Sequence, residues 1–199
     1  LRYSALWFIL SMGGAVIMAA AASGNPGGEA DGLILAAPAV WGRSTMPWLY
    51  RQALSFFAHV APWYPLSGRG LGIKPSDNIE MLRALGLDPL VIKATRADAV
   101  WGLADAMDAG LAAAPRLQRP LLLLYGARDE VIPRPPVERM VAALTAPYRV
   151  AIYPDGWHML FRDLQRETVW GDALSWMLDR AAPLPSGHER MTLPLFEER

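Results

Sequence analysis

Three uninterrupted apolar runs punctuate the chain: Leu6–Leu10 (LWFIL), Gly32–Ala37 (GLILAA) and Leu121–Tyr125 (LLLLY). Each is short and ends at a serine, proline or glycine, the pattern of a strand buried on both faces of a parallel sheet. A fourth segment, Tyr148–Tyr153 (YRVAIY), alternates and predicts a strand nearer the sheet edge. Between the strands the spacing becomes helical. The Ala-rich stretch after Ser11 has high helix propensity, and Pro136–Leu144 opens on Pro135 and Pro136. In Glu167–Arg180, Val169, Trp170, Ala173, Leu174, Met177 and Leu178 form a stripe suited to covering a sheet face. Strand, helix and strand within about forty residues make a βαβ unit, so the pattern predicts an α/β fold built on a parallel sheet.

The stretch Leu6–Ala22 has two readings. In one, a buried strand meets Ser11, turns through Met12-Gly13-Gly14 and enters a helix, presenting the hydroxyl at the top of the sheet. In the other, Tyr3–Ala22, about twenty uncharged residues after Arg2, spans a bilayer or forms a signal segment. Asn25-Pro26-Gly27-Gly28 reads as the loop that stops the first helix.

From Val40 the character changes. Trp41, Trp48, Tyr50, Phe56, Phe57, Trp63 and Tyr64 crowd among prolines, and Ser67-Gly68-Arg69-Gly70 is a loop. Helices fit at Met46–Ala61, Ser76–Leu85 and Asp98–Ala113, and no strand pattern appears. The expectation is a helical cap over residues 41–113, inserted into a core of residues 1–40 and 114–182, with 183–199 as a tail. The aromatic cluster reads either as cap-to-core packing or as an acyl-binding groove, for which Trp41, Trp48, Phe56 and Trp63 are the candidates.

Composition narrows the chemistry. The 199 residues are 53% hydrophobic and carry 19 basic against 19 acidic side chains. A zero net charge gives no electrostatic case for nucleic acid. Without cysteine there is neither a disulfide framework nor a thiolate metal site. No His/Asp/Glu spacing suggests a metal site and no Walker-type loop is present, so neither metal nor cofactor is expected.

Ser11-Met12-Gly13-Gly14, the run Gly126-Ala127-Arg128-Asp129-Glu130-Val131-Ile132-Pro133 after a strand, and Asp155-Gly156-Trp157-His158 together resemble the α/β-hydrolase fold. The subgroup they look like is that of monoacylglycerol lipases and lysophospholipases, the serine aminopeptidase-type hydrolases, and Asp88-Pro89-Leu90 is similar to it as well. The resemblance covers roughly residues 5–180. It implies a triad in the order Ser11, Asp129, His158. Ser11 would be the nucleophile and His158, whose side chain ordinarily titrates near about 6.5, its base. Asp129 would hold the imidazole, and the Met12 backbone N–H would form half of an oxyanion hole. In the family the other half comes from a loop after an earlier strand.

Each of these residues also has an ordinary reading: Ser11 as a helix cap, Asp129 as a turn former with Glu130 as a substitute, His158 as a loop histidine. His59 and His188 read as structural or solvated, and Asp155 as a turn residue. The family usually carries glycine where Ile9 stands and a polar residue in place of Leu10, and a branched side chain would crowd a turn where strand and helix nearly touch. About four or five amino-terminal strands of the family sheet are expected to be missing, as from a truncated reading frame.

The resemblance implies hydrolysis of carboxylic esters of hydrophobic acyl groups, a small lipid or ester as partner, and a cytoplasmic location with peripheral membrane contact through the cap. An inactive remnant kept as an interaction module, or a protein anchored by residues 3–22, are the alternatives.

Overall fold

A computed structural model of the chain describes residues 5–23, 30–68, 70–190 and 195. The expected loop at Asn25–Gly28, Arg69 of the expected Ser67–Gly70 loop, and the first residues of the Tyr3–Ala22 segment lie outside these.

In chain order the strands are β1 (Leu6–Leu10), β2 (Gly32–Ala36), β3 (Pro65–Leu66), β4 (Thr95–Arg96), β5 (Leu121–Gly126), β6 (Tyr148–Tyr153) and β7 (Glu189–Arg190). The helices are α1 (Met12–Ala22), α2 (Trp48–Val60), α3 (Ile79–Leu87), α4 (Ala97–Ala113), α5 (Arg134–Ala143) and α6 (Arg166–Leu178). The main sheet has the order β1-β2-β5-β6-β7, parallel except for the last pair.

The unbroken apolar runs follow from this position. β2 and β5 are buried along their whole length, and alternate residues serve different cores. Leu33, Leu35, Leu121, Leu123 and Tyr125 pack with Met18, Leu111, Val137, Met140 and Val141. Ile34, Ala36, Leu122 and Leu124 pack with Leu160, Val169, Ala173 and Trp176 on the opposite face. Each fully buried Leu or Ile stabilises the sheet by roughly 1.5–3 kcal/mol.

The described part of Tyr3–Ala22 is a strand, a turn and a helix of 11 residues rather than one apolar helix. Among the described residues, no helix is long and apolar enough to cross a membrane.

Between β2 and β5 the chain leaves the sheet for α2, α3 and α4. One detail differs from expectation: β3 and β4 pair antiparallel, with Pro65 opposite Arg96 and Leu66 opposite Thr95. Two-residue strands carry no periodicity, so the pattern could not reveal them. The second half of α4 packs on α1 so closely that a Cβ on Gly110 would lie 2.8 Å from Ala15 Cα.

Within the expected tail 183–199, two described residues join the sheet as β7. β7 pairs with β6 through Val150 opposite Arg190 and Ala151 opposite Glu189, and Leu195 is buried. Arg149 holds it, its guanidinium donating to both Glu189 carboxylate oxygens at 2.6 Å and to the carbonyls of Arg180 and Ala182. That anchor joins residues far apart in sequence and leaves no local pattern.

Candidate active site

Ser11 stands at the carboxyl end of β1, where the strand turns into α1. Its backbone is left-handed, with φ 52° and ψ −123°, a conformation that disfavours any residue with a Cβ. Three hydrogen bonds hold it there. Ser11 N–H donates to the Ala36 carbonyl at 3.0 Å, and the Ser11 carbonyl accepts from Gly14 N–H at 2.9 Å and Ala39 N–H at 3.0 Å. Strain of this kind persists only where neighbours over-determine it. The side chain does not cap α1; its hydroxyl lies 2.9 Å from His158 Nε2.

Ile9, expected to crowd this turn, has the room of a missing side chain. A Cβ on Gly13 would sit 2.5 Å from Ile9 Cγ2, so the bulk on the strand is matched by its absence on the helix.

Asp129 lies in the loop after β5 with its side chain fully buried. Its Oδ1 accepts from the backbone N–H groups of Val131 at 2.8 Å and Ile132 at 2.9 Å, which leaves Oδ2 facing His158 Nδ1 at 2.9 Å. The loop is closed by Tyr125, whose hydroxyl donates to the Ile132 carbonyl at 2.5 Å. Burial, with Asp129 nearby, pushes that phenol well above its ordinary pKa, so it remains a donor.

His158 follows β6 and is buried, at 7% exposure. With its Nδ1–H donating to Asp129 Oδ2, Nε2 is left to accept from the Ser11 hydroxyl. The loops bearing Asp129 and His158 touch backbone to backbone, for a Cβ on Gly126 would lie 2.4 Å from the Gly156 carbonyl oxygen. Arg128 N–H donates to that carbonyl at 2.9 Å.

Met12 is the first residue of α1, so its N–H has no partner within the helix and shares in the positive end of the helix dipole. Of the acyl-groove candidates, Trp41 is half-buried, while Trp48, Phe56 and Trp63 are 68%, 58% and 67% exposed. Phe56 meets Phe57 edge-on, and Phe57 stacks on Tyr64 at 5.2 Å.

Glu130, Asp155, His59 and His188 are engaged elsewhere. Glu130 accepts from Lys74 N–H at 2.6 Å, and Asp155 pairs with Arg128. His59 Nδ1 lies 2.7 Å from the Ser55 carbonyl, and the His188 ring packs edge-on against Tyr153. Among the described residues, no cluster of His, Asp or Glu could hold a metal ion. Two residues beside the site carry no sequence signal: Ser76 and Asp163, both fully buried and hydrogen-bonded to each other.

Comparison with known proteins supplies the family. The profile of the family described as serine aminopeptidase, S33, matches residues 4–165. A monoacylglycerol lipase of Mycolicibacterium smegmatis is 27% identical over 173 residues, which cover 84% of this chain and 60% of that protein. Among solved structures, a monoacylglycerol lipase of Paleococcus ferrophilus superposes with a TM-score of 0.73 at 21% identity, covering 89% of this chain and 69% of that one. A soluble variant of monoglyceride lipase from Saccharomyces cerevisiae, in complex with a substrate analog, gives 0.70 at 20% identity, covering 90% and 63%. The sheet and its flanking helices are those of an α/β-hydrolase, and the chain spans about three-fifths of the length of the curated relative it matches.

Proposed function

This chain belongs to the serine aminopeptidase, S33, family of α/β-hydrolases, and from that premise we propose that it hydrolyses carboxylic esters of hydrophobic acyl groups through an acyl-enzyme. The observation that carries the reading is the hydrogen-bond chain from Ser11 Oγ to His158 Nε2 at 2.9 Å and from His158 Nδ1 to Asp129 Oδ2 at 2.9 Å.

In this reading the Ser11 oxygen attacks the ester carbonyl carbon while its proton passes to His158 Nε2. The imidazolium is stabilised by Asp129, whose oxygens are already oriented by Val131 and Ile132. The negative charge on the carbonyl oxygen develops at the amino end of α1, where the Met12 N–H serves as donor. The ester C–O bond then breaks, and His158 returns its proton to the departing alcohol. Water, deprotonated by the same imidazole, releases the carboxylic acid and restores Ser11. Acid–base transfer of this kind contributes typically about 10²–10⁴-fold in rate.

The substrate class rests on the likeness to proteins named monoacylglycerol lipase and on the aromatic surface of α2. Residues 41–113 act as the cap in this account. Their exposed Trp48, Phe56 and Trp63 would meet the acyl chain or the lipid surface that presents it.

The test is turnover of p-nitrophenyl esters of increasing acyl length. Ser11-dependent hydrolysis that favours medium over acetyl chains supports the reading, and a Ser11→Ala variant with full turnover refutes it. The second reading, an inactive relative kept for interactions, rests on Ile9 in place of the family glycine. It predicts no turnover and no reaction with a fluorophosphonate.

A further inference from the structure

We propose that Ser76 and Asp163 form a positioning pair for His158, by which the segment entering α3 fixes the loop that carries the imidazole. The inference rests on the reading of His158 as the base.

Asp163 is fully buried. Its Oδ1 accepts from the Ser76 hydroxyl at 2.6 Å, and its Oδ2 accepts from Trp157 N–H at 2.7 Å. On the other side of His158, Met159 N–H donates to the Pro75 carbonyl at 2.9 Å, and Asp163 N–H returns to the Met159 carbonyl at 3.0 Å. Both peptide neighbours of His158 are therefore tied to residues 75 and 76, one directly and one through Asp163. The tie is broad. Asn78 Nδ2 donates to the Arg162 carbonyl at 2.9 Å, Leu164 N–H donates to Asp77 Oδ1 at 2.9 Å, and Lys74 Nζ lies 4.3 Å from the Trp157 ring centroid. Lys74 N–H also reaches Glu130, beside Asp129. One short segment outside the sheet thus grips both the acid-bearing and the base-bearing loop.

The chemistry of the pair fits this task. Burial raises the Asp163 carboxyl above its ordinary pKa, opposed by the bonds from Ser76 and Trp157. A buried carboxylate without those donors would be strongly disfavoured. Removing the Ser76 hydroxyl therefore weakens the hold on Trp157, and through it on the imidazole. A displacement of about 1 Å at a reacting group can lower its rate by about 10²-fold.

The experiment reads the imidazole directly, by proton NMR of the full chain. The His158 Nδ1–H resonance is identified by its loss in His158→Asn. It should be sharp in the unaltered chain, broadened by solvent exchange in Ser76→Ala and Asp163→Ala well below their unfolding temperatures, and restored in Ser76→Thr. Should Ser76→Ala fail to fold, Ser76→Cys, of similar size but a weak donor, should broaden it partially. In parallel, ester turnover should fall about 10–100-fold in kcat with little change in KM. A purely structural pair would lower the unfolding temperature and leave the resonance sharp; that result overturns the proposal, as does an unaltered chain with no such resonance. A sharp, Ser76-dependent resonance without Ser11-dependent turnover would uphold the pair and sink the hydrolase reading.

Discussion

Ile9 and Gly13 share one side chain's worth of space: a Cβ on Gly13 would approach Ile9 Cγ2 to 2.5 Å, a separation that packed carbons do not tolerate. The strand and helix on either side of Ser11 are fitted to each other through this pair. Gly13→Ala should therefore overpack the turn and destabilise the chain by about 1–3 kcal/mol. The Ile9→Ala, Gly13→Ala double variant should recover much of that loss. Urea unfolding of the four members of this cycle measures the coupling, and additive effects would show that the two positions do not compete.

Ser11 is held at φ 52° by bonds to Ala36, Gly14 and Ala39. Glycine adopts that conformation without a Cβ penalty. Ser11→Gly is expected to raise the unfolding free energy by about 1 kcal/mol while abolishing ester turnover. A thermal shift downward would show that the serine is not strained.

Gly126 and Gly156 let the Asp129 and His158 loops meet backbone to backbone. Gly126→Ala should push the loops apart and lower kcat by about 100-fold, more than it lowers stability. The comparison is turnover against unfolding midpoint in the same preparation.

The Glu189 carboxyl is held below its ordinary pKa by the hydrogen bond and charge of Arg149. Because the folded state binds that proton more weakly than the unfolded one, the pair's contribution is present above the ordinary glutamic acid range. It is lost as pH falls through the lowered folded value. Glu189→Gln should reduce stability at neutral pH and converge with the unaltered chain in acid. Thermal unfolding from neutral pH down to about pH 2, below the ordinary glutamic acid range, checks the sign.

How much of this is legible in the amino-acid sequence depends on the range of the interaction. β2 and β5 read well because each alternates between two cores and so carries an unbroken apolar run, as in Leu121–Leu124. The helix expected from Ser76 begins instead at Ile79, since Asn78 accepts from Met81 N–H and the Ser76 hydroxyl is drawn away to Asp163. β7 and the β3–β4 pair escape the pattern because two residues have no period and their partners lie far along the chain. The motifs around Ser11, Asp129 and His158 are readable because each sits at the carboxyl end of a strand. The fit of Ile9 to Gly13 and the Ser76–Asp163 pair are not, because they exist only once the backbone has closed.

Whether Ser11 is an activated nucleophile is read by intact-protein mass spectrometry after exposure to a fluorophosphonate. A single adduct mapped to Ser11 is expected, absent in Ser11→Ala and forming far more slowly in His158→Asn. An unmodified chain, or an adduct on another residue with Ser11 untouched, would contradict that role.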